Sequence, residues 1–406
     1  WQTGDIKTSN FTAADGKGFF VDTNGGAITA TLPAGSAGAI ISFQDYRNSF
    51  QTNNLTITPN GSEKINTGAG PVTLSTEGEG ATLVYIDSTV GWRSIQDNQF
   101  ADEGAAFVEA TGGTITTVCT NFKVHTFTGP GSFVVSNAGA PTGSSTVDYL
   151  VVAGGGGGGG GLGGGGGAGG YRESGGTASG CYTVSPLGSS PSSVAALPVS
   201  VQSYPITVGG GGTGRTSPGA AGGNGNPSIF STITSTAGGG GGTVGTPPKN
   251  SGSDGGSGGG GAGQNPETNG GSGNNPPTTP PQGNNGGVAN PSPTYFGGGG
   301  GGALEVGRPG IPPASPAIGV GGGGATSSIN GTPTARAGGG GGGGDGPAKS
   351  GGSGGGGASG AFSQGNGTAG TANTGGGGGG GSGGGPTGGD GAAGGSGIVI
   401  IRYRFQ

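Results

Sequence analysis

Of 406 residues, 116 are glycine, about four times the usual share of roughly 7 %. Only 28 % are hydrophobic and 8 % charged, which excludes one large apolar core and, equally, a charge-extended disordered chain. One histidine, two cysteines and the lack of any apolar run of about 18 residues exclude a zinc cluster, a disulfide-dense scaffold and a transmembrane helix. The net charge of −5 is unevenly placed: residues 1–152 carry six Lys/Arg and thirteen Asp/Glu, and residues 153–397 carry six of each. No basic stripe exists to track phosphates, so neither nucleic acid nor a membrane surface is an expected partner. The chain opens at Trp1 and has no methionine, so it is read as a segment of a longer polypeptide.

The first hundred residues predict short strands at Ala27–Leu32, Ala39–Phe43, Leu55–Thr58, Val72–Ser75, Ala81–Asp87 and Gly91–Ile95, several with alternating apolar and polar residues. Asn24-Gly25, Pro59-Asn60-Gly61 and Gly78-Glu79-Gly80 separate them and tolerate positive φ at turns. No helical periodicity of useful length occurs. A second set of strands is expected at Thr114–Cys119, Phe122–Phe127, Ser132–Val135 and Val147–Val152, resuming at Pro205–Val208, Ile229–Ser235 and Ile398–Phe405. Ile398-Val399-Ile400-Ile401 is a run of four β-branched residues that suits a strand buried on both faces, with Tyr149–Val152 as its partner. The fold class expected is therefore all-β with no significant helix. A small module over residues 1–103 precedes a glycine-rich domain over 104–406, whose sandwich carries glycine runs inserted within 153–397.

Ten runs of four or more glycines lie between Gly154 and Gly381. Their unequal spacing excludes the period of three of a collagen helix. Composition alone favours disorder. The ordered alternative is a bundle of polyglycine II helices, each with three residues per turn and no internal hydrogen bonds, whose amides bond to neighbours. Glycine permits that approach, at an entropic cost that makes a lone run unstable. Loops between the runs, such as Asn274-Asn275-Pro276-Pro277-Thr278-Thr279-Pro280-Pro281, then cluster at the bundle's two ends.

Phe122-Lys123-Val124-His125-Thr126-Phe127-Thr128, Val147-Asp148-Tyr149-Leu150-Val151-Val152-Ala153 leading into glycines, Gly169-Gly170-Tyr171-Arg172-Glu173 and Gly394-Gly395-Ser396-Gly397-Ile398-Val399-Ile400-Ile401-Arg402-Tyr403 together resemble the glycine-rich domain of bacteriophage tail fibres and adhesins, over residues 108–406. Gly18–Thr23, Thr31-Leu32-Pro33, Asn53–Ile57 and Asp87 with Gly91-Trp92 resemble a small β module of marine and cyanobacterial phage virion proteins. The resemblance implies a virion protein assembled in the host cytoplasm and commonly trimeric. It joins upstream fibre or baseplate proteins, and its bundle loops bind a bacterial cell-surface receptor, either a glycan or an outer-membrane protein.

Chemical motifs are sparse. Gly351-Gly352-Ser353-Gly354-Gly355 matches a nucleophile-elbow pattern, but in this composition the match is expected by chance. His125 reads as a satisfied structural imidazole, Asp102-Glu103 as solvated linker charge, and Cys119 and Cys181 as buried or free thiols. No enzymatic activity, cofactor or metal is expected. A depolymerase using paired carboxylates, an ice-binding face and a passive structural fibre are the rival readings. Candidate receptor-binding residues are the bulky or charged groups of the loops, Lys249, Glu267, Tyr295, Phe296, Leu304, Glu305, Arg308, Arg336 and Phe362. For Tyr295, Phe296 and Phe362 the alternative is packing against the bundle flank.

Overall fold

The computed structural model describes residues 1–95, 107–140, 143–180, 182–189, 194–216, 221–245, 247–248, 250–264, 266–289, 295–310, 318–384 and 388–406. The protein is all-β, with no helix among the described residues and several sheets. Two compact units divide the chain. One comprises Trp1–Glu109, Asn137–Ser145 and Phe405–Gln406, and the other Ala110–Ser136 and Thr146–Arg404. The boundary expected at 103/104 falls in residues 96–106, outside the described residues.

The first unit contains β1 (Phe11–Thr12), β2 (Lys17–Val21), β3 (Ile28–Thr31), β4 (Ile40–Asp45), β5 (Leu55–Thr58), β6 (Val72–Leu74), β7 (Gly80–Asp87) and β8 (Gly91–Ser94). They form two four-stranded sheets, ordered β1-β3-β5-β6 and β2-β4-β7-β8. Alternation supplies the inward faces: Ile28 and Ala30, Leu55 and Ile57, and Val72 and Leu74 are buried between half-exposed threonines. One core joins both sheets and includes Phe19, Phe43, Leu83 and Trp92. Trp92 Nε1 donates to Glu63 Oε2 at 3.2 Å, which satisfies the indole at its buried position. β2 escaped the sequence reading because Gly18 and consecutive Phe19-Phe20 break the alternation, although Phe19 and Val21 both point inward.

The second set of strands is β9 (Val108–Thr111), β10 (Thr114–Val118), β11 (Phe122–Phe127), β12 (Gly131–Ala138), β13 (Thr146–Val152), β14 (Tyr171–Glu173), β15 (Leu197–Pro198), β16 (Gln202–Thr207), β17 (Ser228–Phe230), β18 (Ile233–Ser235), β19 (Ala325–Ser327), β20 (Thr334–Arg336) and β21 (Ile398–Arg404). β10-β11-β21-β13-β14 run across one sheet and β18-β17-β16-β12-β9 across another, while β19 and β20 form a hairpin. The expected partnership of the two chain segments is present: β13 and β21 pair antiparallel, with Tyr149 opposite Ile401 and Val152 opposite Ile398. Residues 398–403 are all buried, because the sheet is covered on both faces. On one face His125 and Tyr403 meet Phe133 of the facing sheet, at ring-centroid distances of 5.0 and 6.2 Å, and Tyr149 meets Phe230 at 6.5 Å. On the other, Leu150, Val152, Ile398 and Ile400 pack with Tyr171, Ala168, Ala303, Ala325, Ile329 and Ala337.

The glycine runs carry neither helix nor strand; their order lies in which amide bonds to which. Along Gly154–Gly161 the partner changes at every residue and returns at every third. Gly154 and Gly157 donate to Asn226 and Gly223. Gly155, Gly158 and Gly161 donate to Gly395, Ala392 and Gly389, and Gly156 and Gly159 to Gly167 and Gly164, all at 2.8–3.0 Å. The carbonyls of the same run accept from Gly238 and Gly241, from Gly378 and Gly381, and from Gly212. A period of three is that of a polyproline-II-type helix, and six surrounding segments make the run the centre of a hexagonal array. The next run repeats the pattern: Gly163, Gly166 and Gly169 donate to Gly381, Gly378 and Gly375, while Gly164, Gly167 and Gly170 donate to Gly242, Gly239 and Thr236.

Glycine is compulsory inside this array and optional at its rim. A Cβ on Gly164, Gly165 or Gly166 would overlap the carbonyl oxygen of Gly260, Gly340 or Gly156 respectively. A Cβ on Gly210 would meet nothing nearer than Asn226 Nδ2 at 3.7 Å. Gly166→Ala is therefore expected to destabilise the fold by about 3 kcal/mol or more, as overpacking against unyielding backbone, whereas Gly210→Ala stays within about 0.5 kcal/mol. Thermal or denaturant unfolding of the two variants measures this, and equal losses would refute the close-packed array.

Candidate functional site

Direction along the bundle follows from the bonds. β13 feeds Gly154–Gly161, which leads away from its sheet, and Gly163–Gly170 returns to β14. The reversal between them uses Gly161 and Leu162, at φ 49° and 55°. Tracing the other segments by their partners assigns each described turn to one of two ends. Segments 254–257, 274–282, 303–307, 353–356 and 371–375 turn at the sheet end, and 243–245, 263–264, 266–268, 344–349, 360–365 and 382–384 lie at the far end beside Leu162.

Short hydrogen bonds hold the far-end loops to one another and to the run tips. Thr243 Oγ1 donates to the Gly160 carbonyl at 2.7 Å. Gln264 bridges two loops, accepting from Gly245 N at 2.6 Å and donating to the Gly245 carbonyl at 2.7 Å. Asp345 N donates to the Tyr295 carbonyl at 3.1 Å, Phe362 N to the Gly346 carbonyl at 2.9 Å, and Gln364 N to the Gly383 carbonyl at 3.1 Å. Lys349 Nζ sits 5.1 Å from the centroid of the Phe296 ring. The result is a surface of fixed loops on a stiff support, the arrangement that recognition surfaces generally use.

Residues 128–404, more than half of the chain, match the family described as a glycine-rich domain. The chain belongs to this family. No curated protein matches it.

Within the glycine-rich domain the eight described candidate residues do not form one site. Glu267 and Phe362 are exposed at the far end, and Tyr295 and Phe296 are half-buried there. Phe296 packs on the flank, where its backbone pairs with Gly344 and a Cβ on Gly344 or Gly346 would meet its ring. Leu304 and Glu305 are exposed at the opposite, sheet end, where Glu305 Oε2 accepts from Gly323 N at 3.2 Å. Arg308 is exposed part-way along the bundle, with its carbonyl accepting from Gly299 N. Arg336 is buried, 4 % exposed, at the end of β20, where Tyr171 and Glu173 act on its charge. Lys249 and Cys181 lie outside the described residues, and Cys119 is exposed. The proline-rich loop is at the sheet end, closed by Asn274 Oδ1, which accepts from Thr278 N at 3.0 Å and Gln282 N at 3.1 Å.

A further set of ionisable side chains is buried beside the sheet. His125 has both ring nitrogens engaged: Nδ1 donates to the Gly112 carbonyl at 2.7 Å, so Nε2 accepts from the Tyr403 hydroxyl at 3.0 Å. Burial lowers its pKa, and the structural reading of this histidine holds. Asp148 and Arg402 stand opposite each other in β13 and β21. Asp148 accepts from Ser174 Oγ and Ser179 N, each at 2.8 Å. The Arg402 guanidinium donates to the carbonyls of Ile329 and Gly180 at 3.2 and 3.3 Å, between the rings of Phe122 and Tyr182 at 4.7 and 5.0 Å. Sequence reasoning passed over this layer, although Asp148 inside an apolar strand was a signal for it. Ser353 of the nucleophile-elbow pattern belongs to a bundle segment, with its carbonyl bonded to Gly324 N at 2.8 Å.

Glu173 completes the buried layer, accepting from Tyr171 Oη at 2.9 Å, Ser185 N at 3.1 Å and Ser327 Oγ. Burial outweighs these donors and raises its pKa above the ordinary 4.5. The folded state then binds this proton more tightly than the unfolded state, so the group's contribution to stability falls as pH rises from 4.5 through the folded pKa and is level above it. Unfolding midpoints measured between about pH 4 and pH 8 are expected to show this limb in the parent and to lose it in Glu173→Gln. A limb of the same size in the variant would exclude Glu173 as its source.

Proposed function

We propose that the chain is a segment of a bacteriophage tail fibre whose glycine-rich domain binds the host cell surface through the loops at the far end of the bundle. The observation that carries this reading is the separation of roles along the bundle. One end is anchored in buried sheet, and the other gathers hydrogen-bonded loops that expose Glu267, Asp345 and Phe362. A lattice of backbone bonds tolerates no bulk within it, so chemical variety is confined to the turns, and a far end away from the anchoring sheets suits contact with another surface. The resemblance of β11, β13 and β21 to tail-fibre adhesins supports the same assignment. On this reading the protein is a virion component, assembled in the host cytoplasm, that acts as a homotrimer joined to upstream fibre or baseplate proteins. It performs no catalysis and uses no cofactor or metal.

A purely structural fibre is the second reading, favoured by Phe296 packing on the flank. The two separate in one experiment. The fluorescently labelled full chain is offered to a panel of bacteria beside two variants, one with 344–349 and 360–365 replaced by Gly-Ser and one with 303–306 so replaced. Receptor binding predicts strain-selective labelling that is lost in the first variant and kept in the second. Equal labelling by all three, or none by a folded parent, favours the structural fibre.

A further inference from the structure

The far-end surface around Phe362 narrows the class of ligand. Loops 344–349, 360–365 and 382–384 meet there through the bonds from Phe362 N to Gly346 and from Gln364 N to Gly383. Phe362 is 53 % exposed and is the one large apolar side chain these described loops expose. Two residues of opposite charge belong to the neighbouring loop 344–349, whose Gly346 carbonyl accepts from Phe362 N. Asp345 is exposed, with a carboxylate oxygen lying over the backbone of Gly383. Lys349 is held by its contact with the Phe296 ring and by its N–H bond to Ser359 Oγ at 2.8 Å. Asp345 and Lys349 form no ion pair with each other or with any other described residue.

This composition is poor for a protein partner and good for a sugar. A protein interface buries on the order of 800 Å² per side around several aromatic anchors, and one exposed ring in loops 344–349, 360–365 and 382–384, with Tyr295 and Phe296 half-buried beside them, offers no such centre. A pyranose has one apolar C–H face and an edge of hydroxyls. The negative face of an aromatic ring attracts polarised C–H groups, a carboxylate accepts two charge-assisted hydrogen bonds from adjacent hydroxyls, and an ammonium donates to a third oxygen. We infer that Phe362, Asp345 and Lys349 form a carbohydrate-binding site for a hexose with vicinal hydroxyls, displayed on a host surface polysaccharide. The inference rests on the receptor-binding reading and names the ligand class of that site.

The test uses the full chain and a strain it labels. Cells are treated either with periodate, which cleaves the carbon–carbon bond of vicinal diols, or with protease. Binding is expected to fall at least about tenfold after periodate and to survive protease. Phe362→Ala and Asp345→Asn should each weaken binding about tenfold, the equivalent of roughly 1.4 kcal/mol, with unfolding midpoints unchanged. Lys17→Gln, on the first unit, should bind as the parent does. Loss to protease alone, or variants that bind like the parent, would overturn the carbohydrate site while leaving receptor binding intact. Where both treatments abolish binding, purified polysaccharide from the strain decides: binding to it supports the site and its absence overturns it. A folded chain that labels no strain removes the receptor-binding reading itself.

Discussion

The structure depends on a backbone amide of one glycine run reaching the carbonyl of another with no side chain between them. Because the partner of each amide in Gly154–Gly161 changes at every residue and recurs at every third, a single run needs several neighbours to satisfy its polar groups. No pair of runs is a stable unit, since ordering glycine carries a large entropic cost and an unpaired buried amide costs about as much as a lost hydrogen bond. The array is therefore cooperative across its section. Its cohesion comes from hydrogen bonds, Cα–H···O contacts and dispersion at close approach, with little contribution from apolar side chains.

Such an array has no intrinsic way to choose its register, because one glycine is like the next. The sheets supply it. β13 and β21 are fixed against each other by side-chain-specific pairing, from Asp148 opposite Arg402 to Val152 opposite Ile398, and both lead directly into bundle segments. The buried layer of Asp148, Glu173 and Arg402 then ties β21 to Gly180 and Ile329, two points far apart in sequence. Buried charge is an expensive way to gain stability. Its use here fits a role in specifying which loop lies against which strand, because Asp148, Glu173 and the two terminal nitrogens of Arg402 are bonded to partners that a shifted register would remove, while Arg402 Nε is buried without one.

Much of this was legible in the residues and some was not. The β-branched run at 398–401 announced a strand covered on both faces, and Tyr149–Val152 its partner, since both are apolar without alternation. His125 read correctly as structural, being flanked by Val124 and Thr126 in a strand of period two. Tyr171–Glu173, Ala325–Ser327 and Thr334–Arg336 stayed hidden: three-residue strands carry too little pattern to stand out between glycines. The burial of Arg336 stayed hidden with them, since it follows from its place at the end of β20. The end of the bundle to which a loop belongs is encoded in no local residue. It follows from the parity of chain reversals, so Leu304 and Phe362 looked alike in sequence and lie at opposite ends.

The division between lattice and loop also determines how such a protein can change. Inside the array even one methyl group meets a carbonyl oxygen, as at Gly164, Gly165 and Gly166, so substitutions there disturb bonds to several runs together. At a turn, an exchanged or lengthened segment costs a loop-closure entropy that grows slowly, about 0.6 kcal/mol for each doubling of length. It leaves the array's bonds intact provided the chain re-enters in the same register. A fold held by side-chain packing couples its surface to its core through shared side chains. Here the coupling runs through backbone alone, and a loop such as 360–365 can vary in size, charge and aromaticity without altering what holds the bundle together. Rigidity and variability, which compete where side-chain packing holds a fold together, are assigned in this one to separate residues.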